Sequence, residues 1–137
     1  MDGKPVFAYA LSNQPQHKYR IASEQPVAPG NHIIRAKFVY DGGGIGKGAT
    51  ATLLVDEKRV AEGRIPMTIG VRFSLDETFD VGEDTGTPVL EEYDSKMPFR
   101  FNGTLKKFVV VLEPMKLSED EQRRLHEELA KALMAVQ

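Results

Sequence analysis

Apolar and polar residues alternate along several short stretches of this chain, and a period of two predicts strands with one face buried. Residues 5–11, with Val6, Phe7, Ala8, Tyr9, Ala10 and Leu11, are apolar and half aromatic or β-branched. The polar residues 12–16 that follow are loop chemistry, so an opening strand is predicted here and a second over 17–22. Pro26, Pro29, Gly30 and Asn31 demand a turn. From 32 to 40, Ile34, Ala36, Phe38 and Tyr40 share one face of a half-buried strand, opposite Arg35 and Lys37, which lie between Ile33 and Val39. Over 49–55, Ala51, Leu53 and Val55 alternate with Thr50, Thr52 and Leu54, and the pattern resumes over 60–65. This is a hairpin. Asp56-Glu57 at its tip is not the Asn-Gly or Asp-Gly of a relaxed two-residue turn, which predicts strain at Glu57 or a slightly longer loop.

Pro66 ends the hairpin, and Val71, Phe73 and Leu75 alternate with Arg72, Ser74 and Asp76 in a further strand. Residues 99–112 form the longest β-type run. Phe99, Phe101, Gly103 and Leu105 share one parity and Phe108, Val110 and Leu112 the other. Either a bulge at Lys106-Lys107 restores one core face, or the distal half is buried on both faces. The period then changes. Ser118 and Glu121 fit a capping box, and Leu125, Leu129, Leu133 and Val136 recur at helical spacing. Glu119/Arg123, Asp120/Arg124 and Glu127/Lys131 are i,i+4 pairs on the solvent side of that helix. The elements predict a mainly β chain: an antiparallel β-sandwich of the jelly-roll or lectin-like kind over about residues 4–113, with one C-terminal α-helix over about 118–135. A single domain spanning residues 1–137 is expected.

Two loops interrupt the alternation. Residues 40–48 read Tyr40-Asp41-Gly42-Gly43-Gly44-Ile45-Gly46-Lys47-Gly48, five glycines in seven residues from Gly42. Glycine at that density means positive φ or very close approach to other backbone. Residues 76–88 carry five carboxylates, two glycines and a proline in 13 residues, too many breakers for regular structure throughout.

Composition narrows the function. At 137 residues the chain can bury a core without staples, and with no cysteine it has no disulfide, thiolate metal site or cysteine nucleophile. A net charge of −2 argues against a nucleic-acid footprint. No apolar run approaches the roughly 18 residues of a membrane span. Met1 to Pro5 lack the basic start and apolar core of a signal peptide, so an export signal would lie upstream.

The glycine loop fails as a phosphate cradle. Asp41 stands where a P-loop needs its first glycine before Gly46-Lys47, and Gly48 stands where Ser or Thr should follow. It also fails the dinucleotide fingerprint, because Lys47 takes the place of the last glycine and a strand follows in place of a helix. A tight connection pressed on packed backbone, or a docking surface, fits better. Asp76, Glu77, Asp80, Glu83 and Asp84 supply the clustered oxygens that calcium prefers, although their spacing matches no EF-hand loop. His17, His32 and His126 are scattered and read as surface or packing residues.

Residues 3–9, 38–48, 73–89 and 101–105, with the apolar strand after them, resemble in order the C-terminal region of long bacterial arylsulfatases. The likeness covers nearly the whole chain. One departure is visible: the family's hairpin usually reads Val-Asp-Gly-Lys, and here it reads Val55-Asp56-Glu57-Lys58. Sulfatases of this family hydrolyse sulfate esters with a formylglycine made in a Cys/Ser-x-Pro/Ala-x-Arg motif beside a calcium ion, all in a large N-terminal α/β domain. No residue here matches that motif, so no catalytic, cofactor-binding or metal residue is carried over. The resemblance implies a non-catalytic accessory domain that packs on a sulfatase catalytic domain, in the same chain or another, and helps shape the substrate entrance. The candidate docking or ligand residues are Asp41, Gly43, Gly44 and Lys47 in one loop and Asp76, Glu77, Asp80, Asp84 and Thr85 in the other. Two other readings compete: a carbohydrate-binding module for sulfated glycans, with Tyr9, Tyr19, Tyr40 and Tyr93 as its aromatic candidates, and a calcium-stabilised module.

Overall fold

The computed structural model describes residues 1–70, 79–114 and 117–134. The predicted strand carrying Val71, Phe73 and Leu75 lies outside the described residues, as do Asp76 and Glu77. The chain divides into two compact units, one of residues 1–72 with 117–137 and one of residues 73–116. The described residues are mainly β, with antiparallel sheets and one C-terminal helix.

In the first unit, β1 (Val6–Ala10) and β2 (Lys18–Ala22) form an antiparallel pair with Val6 opposite Ala22. Between them, residues predicted as loop wind a 3-10 turn at Pro15–His17. There the Ser12 hydroxyl lies 2.7 Å from His17 Nδ1 and accepts the Gln14 N–H at 3.2 Å. β3 (Ile34–Tyr40), β4 (Ala49–Val55) and β5 (Lys58–Ile65) form a three-stranded sheet with β4 in the centre. The register sets Ala36 opposite Leu53 and Phe38 opposite Ala51, so the face read from the alternation is the face that turns inward. Tyr9, Ile21, Ala49, Ala51, Leu53 and Ile65 make the core, where the β1–β2 pair lies against β4 and β5. Ile21 sits so close to Gly63 that a Cβ there would come within 2.5 Å of its Cγ1. A glycine is therefore required at 63 for the two sheets to approach.

β3 corrects the prediction of a half-buried strand. Phe38 stacks on Tyr9 at 5.9 Å and meets Phe7 at 6.1 Å, yet it stays 41% exposed, and Ile34 is 53% exposed. The inward face of β3 runs past the edge of the β1–β2 pair, which packs on its neighbours β4 and β5. The hairpin tip resolves the other open question. It is a two-residue turn with Asp56 at φ 49° and Glu57 at φ 65°, so both residues occupy the left-handed region and the strain is shared. Asp56 is clamped there: its N–H donates to the Ile33 carbonyl at 2.9 Å, and its carboxylate accepts the Ile33 N–H at 2.9 Å.

The second unit has little regular structure. β6 (Glu83–Asp84) pairs with β7 (Phe99–Arg100), and a 3-10 stretch at Glu91–Lys96 intervenes that the apolar pattern did not reveal. Its buried centre is Leu90 and Tyr93, with Phe99 stacked on Tyr93 at 4.6 Å. The predicted long strand over 99–112 is reduced to β7. From Phe101 to Pro114 the chain forms no ladder, and Phe108, Val109, Val110, Val111 and Leu112 are 54–87% exposed. Neither the bulge at Lys106-Lys107 nor burial on both faces is present. A strand exists only by bonding to another, and among the described residues these have no partner edge.

The helix α1 (Glu119–Met134) begins as its capping box requires. The Ser118 N–H donates to Glu121 Oε2 at 2.8 Å, and the Glu121 N–H donates to the Ser118 hydroxyl at 3.3 Å. Leu125 and Leu129 are half-buried and Leu133 is exposed. Arg123 pairs with Asp120 at 2.7 Å, three residues away, in place of the expected Glu119; both spacings place neighbours on one helix face. Among the described residues no helix is long and apolar enough to cross a membrane.

Candidate functional site

The glycine loop is closed at its base by the Asp41 N–H donating to the Gly48 carbonyl at 3.0 Å. Above the base, four side chains from different elements hold it. Arg64, on β5, grips the Asp41 carboxylate with both terminal nitrogens, one of them at 2.7 Å from Oδ1. That contact holds the Asp41 carboxyl below its ordinary range and raises Arg64. Tyr40 donates its hydroxyl to the Gly44 carbonyl and accepts the Lys47 N–H at 3.0 Å, bridging the two limbs. Thr68, beyond β5, donates its hydroxyl to the Lys47 carbonyl at 2.7 Å and its N–H to the same oxygen at 3.0 Å. Glu128 of α1 accepts the Ile45 N–H at 3.4 Å.

These bonds occupy backbone groups that a phosphate would need. The loop is a tied connection, with the bare backbone of Gly42 and Gly43 and the exposed side chain of Lys47 outermost. Gly48 is where the loop is tightest. A Cβ at that position would meet Arg64 Nη2 at 2.3 Å, Asp41 Oδ2 at 2.8 Å and the Ile65 carbonyl oxygen at 2.9 Å. Of the candidate residues, Asp41 and Gly44 thus serve the loop's own architecture, while Gly43 and Lys47 face outward.

The described part of the acidic loop, in the second unit, is knit in a different way. Asp80 Oδ2 accepts both the N–H and the hydroxyl of Thr85, at 3.0 and 2.7 Å. Asp84 Oδ1 accepts the Gly86 N–H at 3.3 Å, and its Oδ2 accepts the Tyr93 hydroxyl at 2.7 Å, which in turn accepts the Val89 N–H at 2.8 Å. Burial, together with the Asp84 carboxylate beside it, pushes the Tyr93 hydroxyl up to about 12. Glu83 pairs with Arg100 at 3.0 and 3.1 Å. Asp80, Asp84 and Thr85 come together as a chain of turn caps. Among the described residues no three carboxylate or imidazole groups converge as a metal site would need.

Two features escaped the sequence reading. An open cleft of about 620 Å³ runs between β2 and β5, lined among others by Lys18, Tyr19, Arg20, Glu62 and Arg64. Its residues come from strands some 40 positions apart, and only the packing of one sheet on the other joins them. The second is His32, whose Nδ1 lies 2.7 Å from Asp56 Oδ2. That hydrogen bond raises the imidazole above its ordinary value and lowers the carboxyl. An isolated histidine 24 residues from its partner gives no motif to find. In comparisons with family models, with curated proteins and with solved structures, nothing matches the chain.

Proposed function

We propose that this chain is a non-catalytic accessory module of an arylsulfatase, seated on the catalytic domain through its glycine and acidic loops and helping to shape the substrate entrance. The resemblance of residues 3–9, 38–48, 73–89 and 101–105 suggests the family. The observation that carries the reading is the state of the glycine loop. It is fastened by Arg64, Tyr40, Thr68 and Glu128, while Gly42, Gly43 and Lys47 remain outermost, so a partner meets a surface with little conformational entropy left to lose. In this reading the β1–β2 pair lying on β4 and β5 is part of a two-layered sandwich of jelly-roll type. The test mixes this chain with the catalytic domain of a long bacterial arylsulfatase and follows complex formation and aryl-sulfate hydrolysis. A complex is expected, weakened at least tenfold by Lys47→Glu, with no hydrolysis by this chain alone. Absence of a complex, or turnover by the isolated chain, overturns it.

One observation favours a second reading, a carbohydrate-binding module for sulfated glycans. Tyr19 lines the cleft together with Lys18, Arg20 and Arg64, an aromatic face beside three cations. Tyr9 and Tyr93 are buried and Tyr40 ties the glycine loop, which leaves Tyr19 as the aromatic of this module. Calorimetric binding of a heparin oligosaccharide that is lost in Tyr19→Ala supports this reading, and no binding by the folded protein rejects it.

A further inference from the structure

Two parts of the molecule leave backbone and apolar surface unused. The first is β3. It bonds to β4 along one edge, and among the described residues its other edge pairs with nothing. Ile34, Phe38 and Val39 along it are 41–53% exposed. An open edge with apolar side chains is a template for another strand. The second is the segment of residues 107–113, Lys-Phe-Val-Val-Val-Leu-Glu. It has the β-branched and aromatic composition of a strand, no ladder among the described residues, and an apolar run more exposed than β3 itself.

Antiparallel alignment of the two has one register in which pattern and charge agree. Setting Ala36 opposite Leu112, Phe38 opposite Val110 and Tyr40 opposite Phe108 places three more apolar side chains on the inward face of the sheet. The same register sets Glu113 opposite Arg35 and diagonal to Lys37, and sets Lys107 opposite Asp41. Pro114 then falls opposite Ile34, where the ladder ends and no N–H is needed. Pairing β3 with another β3 about its middle instead sets Lys37 against Lys37, and pairing the segment with itself leaves β3 uncovered.

We propose that the free edge of β3 receives residues 107–113 of a second copy of this chain and that the exchange is reciprocal, giving a two-fold dimer. In a single copy both the edge and the segment remain uncovered. A second copy satisfies both at once, and because each chain offers one acceptor edge and one donor segment the assembly closes at two. This surface is independent of the accessory-module reading.

The chain contains no cysteine, so a single introduced pair is unambiguous. Val39→Cys with Val109→Cys, both at exposed positions that face each other in this register, is expected to give a disulfide-linked dimer on a non-reducing gel. A cross-link confined to the monomer, or none, overturns the proposal. Sedimentation of the full chain is expected to show a monomer–dimer equilibrium that Arg35→Glu weakens at least tenfold and that Arg35→Glu with Glu113→Arg restores. A chain that stays monomeric at high concentration, or a charge exchange without rescue, is equally fatal to it. Circular dichroism of each variant confirms that the fold is retained.

Discussion

β4 and the stretch from Phe108 to Leu112 are built from the same kind of residues. Ala51 and Leu53 of β4 are 1% and 2% exposed, whereas Val109 and Leu112 are 60% and 87% exposed. β4 has β3 on one side, β5 on the other and the β1–β2 pair over its inward face. The other segment has no ladder among the described residues. Composition makes a chain willing to be a strand; burial comes from edges and faces supplied by residues far away in sequence.

The sharpest way to break this comparison is truncation at matched sites. Leu53→Ala is expected to lower stability by about 3 kcal/mol, because its methyl groups leave a cavity between closely packed neighbours, while Val110→Ala in dilute solution costs less than about 0.5 kcal/mol. Chemical denaturation of both variants checks it, and equal losses would mean that the exposed segment is packed after all. Gly48→Ala follows, with an expected loss of about 2 kcal/mol, since the Ile65 carbonyl oxygen cannot yield as the tip of Arg64 can. A denaturation midpoint unchanged in that variant would show that the glycine loop is looser than its bonds imply.

Glu57→Gly changes a local contribution in place of a long-range one. It is expected to raise stability by about 1 kcal/mol by relieving the left-handed backbone, at the loss of the exposed Arg35–Glu57 pair at 2.9 Å. Thermal melts of variant and parent decide it. The smallest effect is that of pH on the clamp beside this turn. His32 is raised, so its contribution is complete below 6.5 and fades as pH climbs through its raised value. Asp56 is lowered, so its contribution is complete above 3.8 and fades as pH falls through its lowered value. The clamp is therefore strongest between about pH 4 and 6.5, and His32→Gln is expected to flatten the alkaline limb of a melting-temperature profile.

Much of the first unit was legible in the chain. Alternation placed β1 to β5 within a residue or two, and the capping box at Ser118 and Glu121 placed the start of α1, because these signals are local. The exposed face of β3 was not legible, since no residue in it reports how far the β1–β2 pair extends. The 3-10 stretch at Glu91–Lys96 lacks apolar periodicity and is organised by one buried ring, Tyr93, reaching back to Asp84. Of the candidate residues, the glycines announced a special loop, yet the residues that define its shape, Arg64, Thr68 and Glu128, lie 16 to 80 positions beyond Gly48 and carry no signature of that task.

Arg64 belongs to two places at once, the wall of the cleft and the grip on Asp41. An anion entering the cleft would compete with Asp41 for the same guanidinium, so filling one site and slackening the other become linked quantities. Whatever fastens the loop against a partner then weakens anion binding in the cleft by the same factor that the anion loosens the partner.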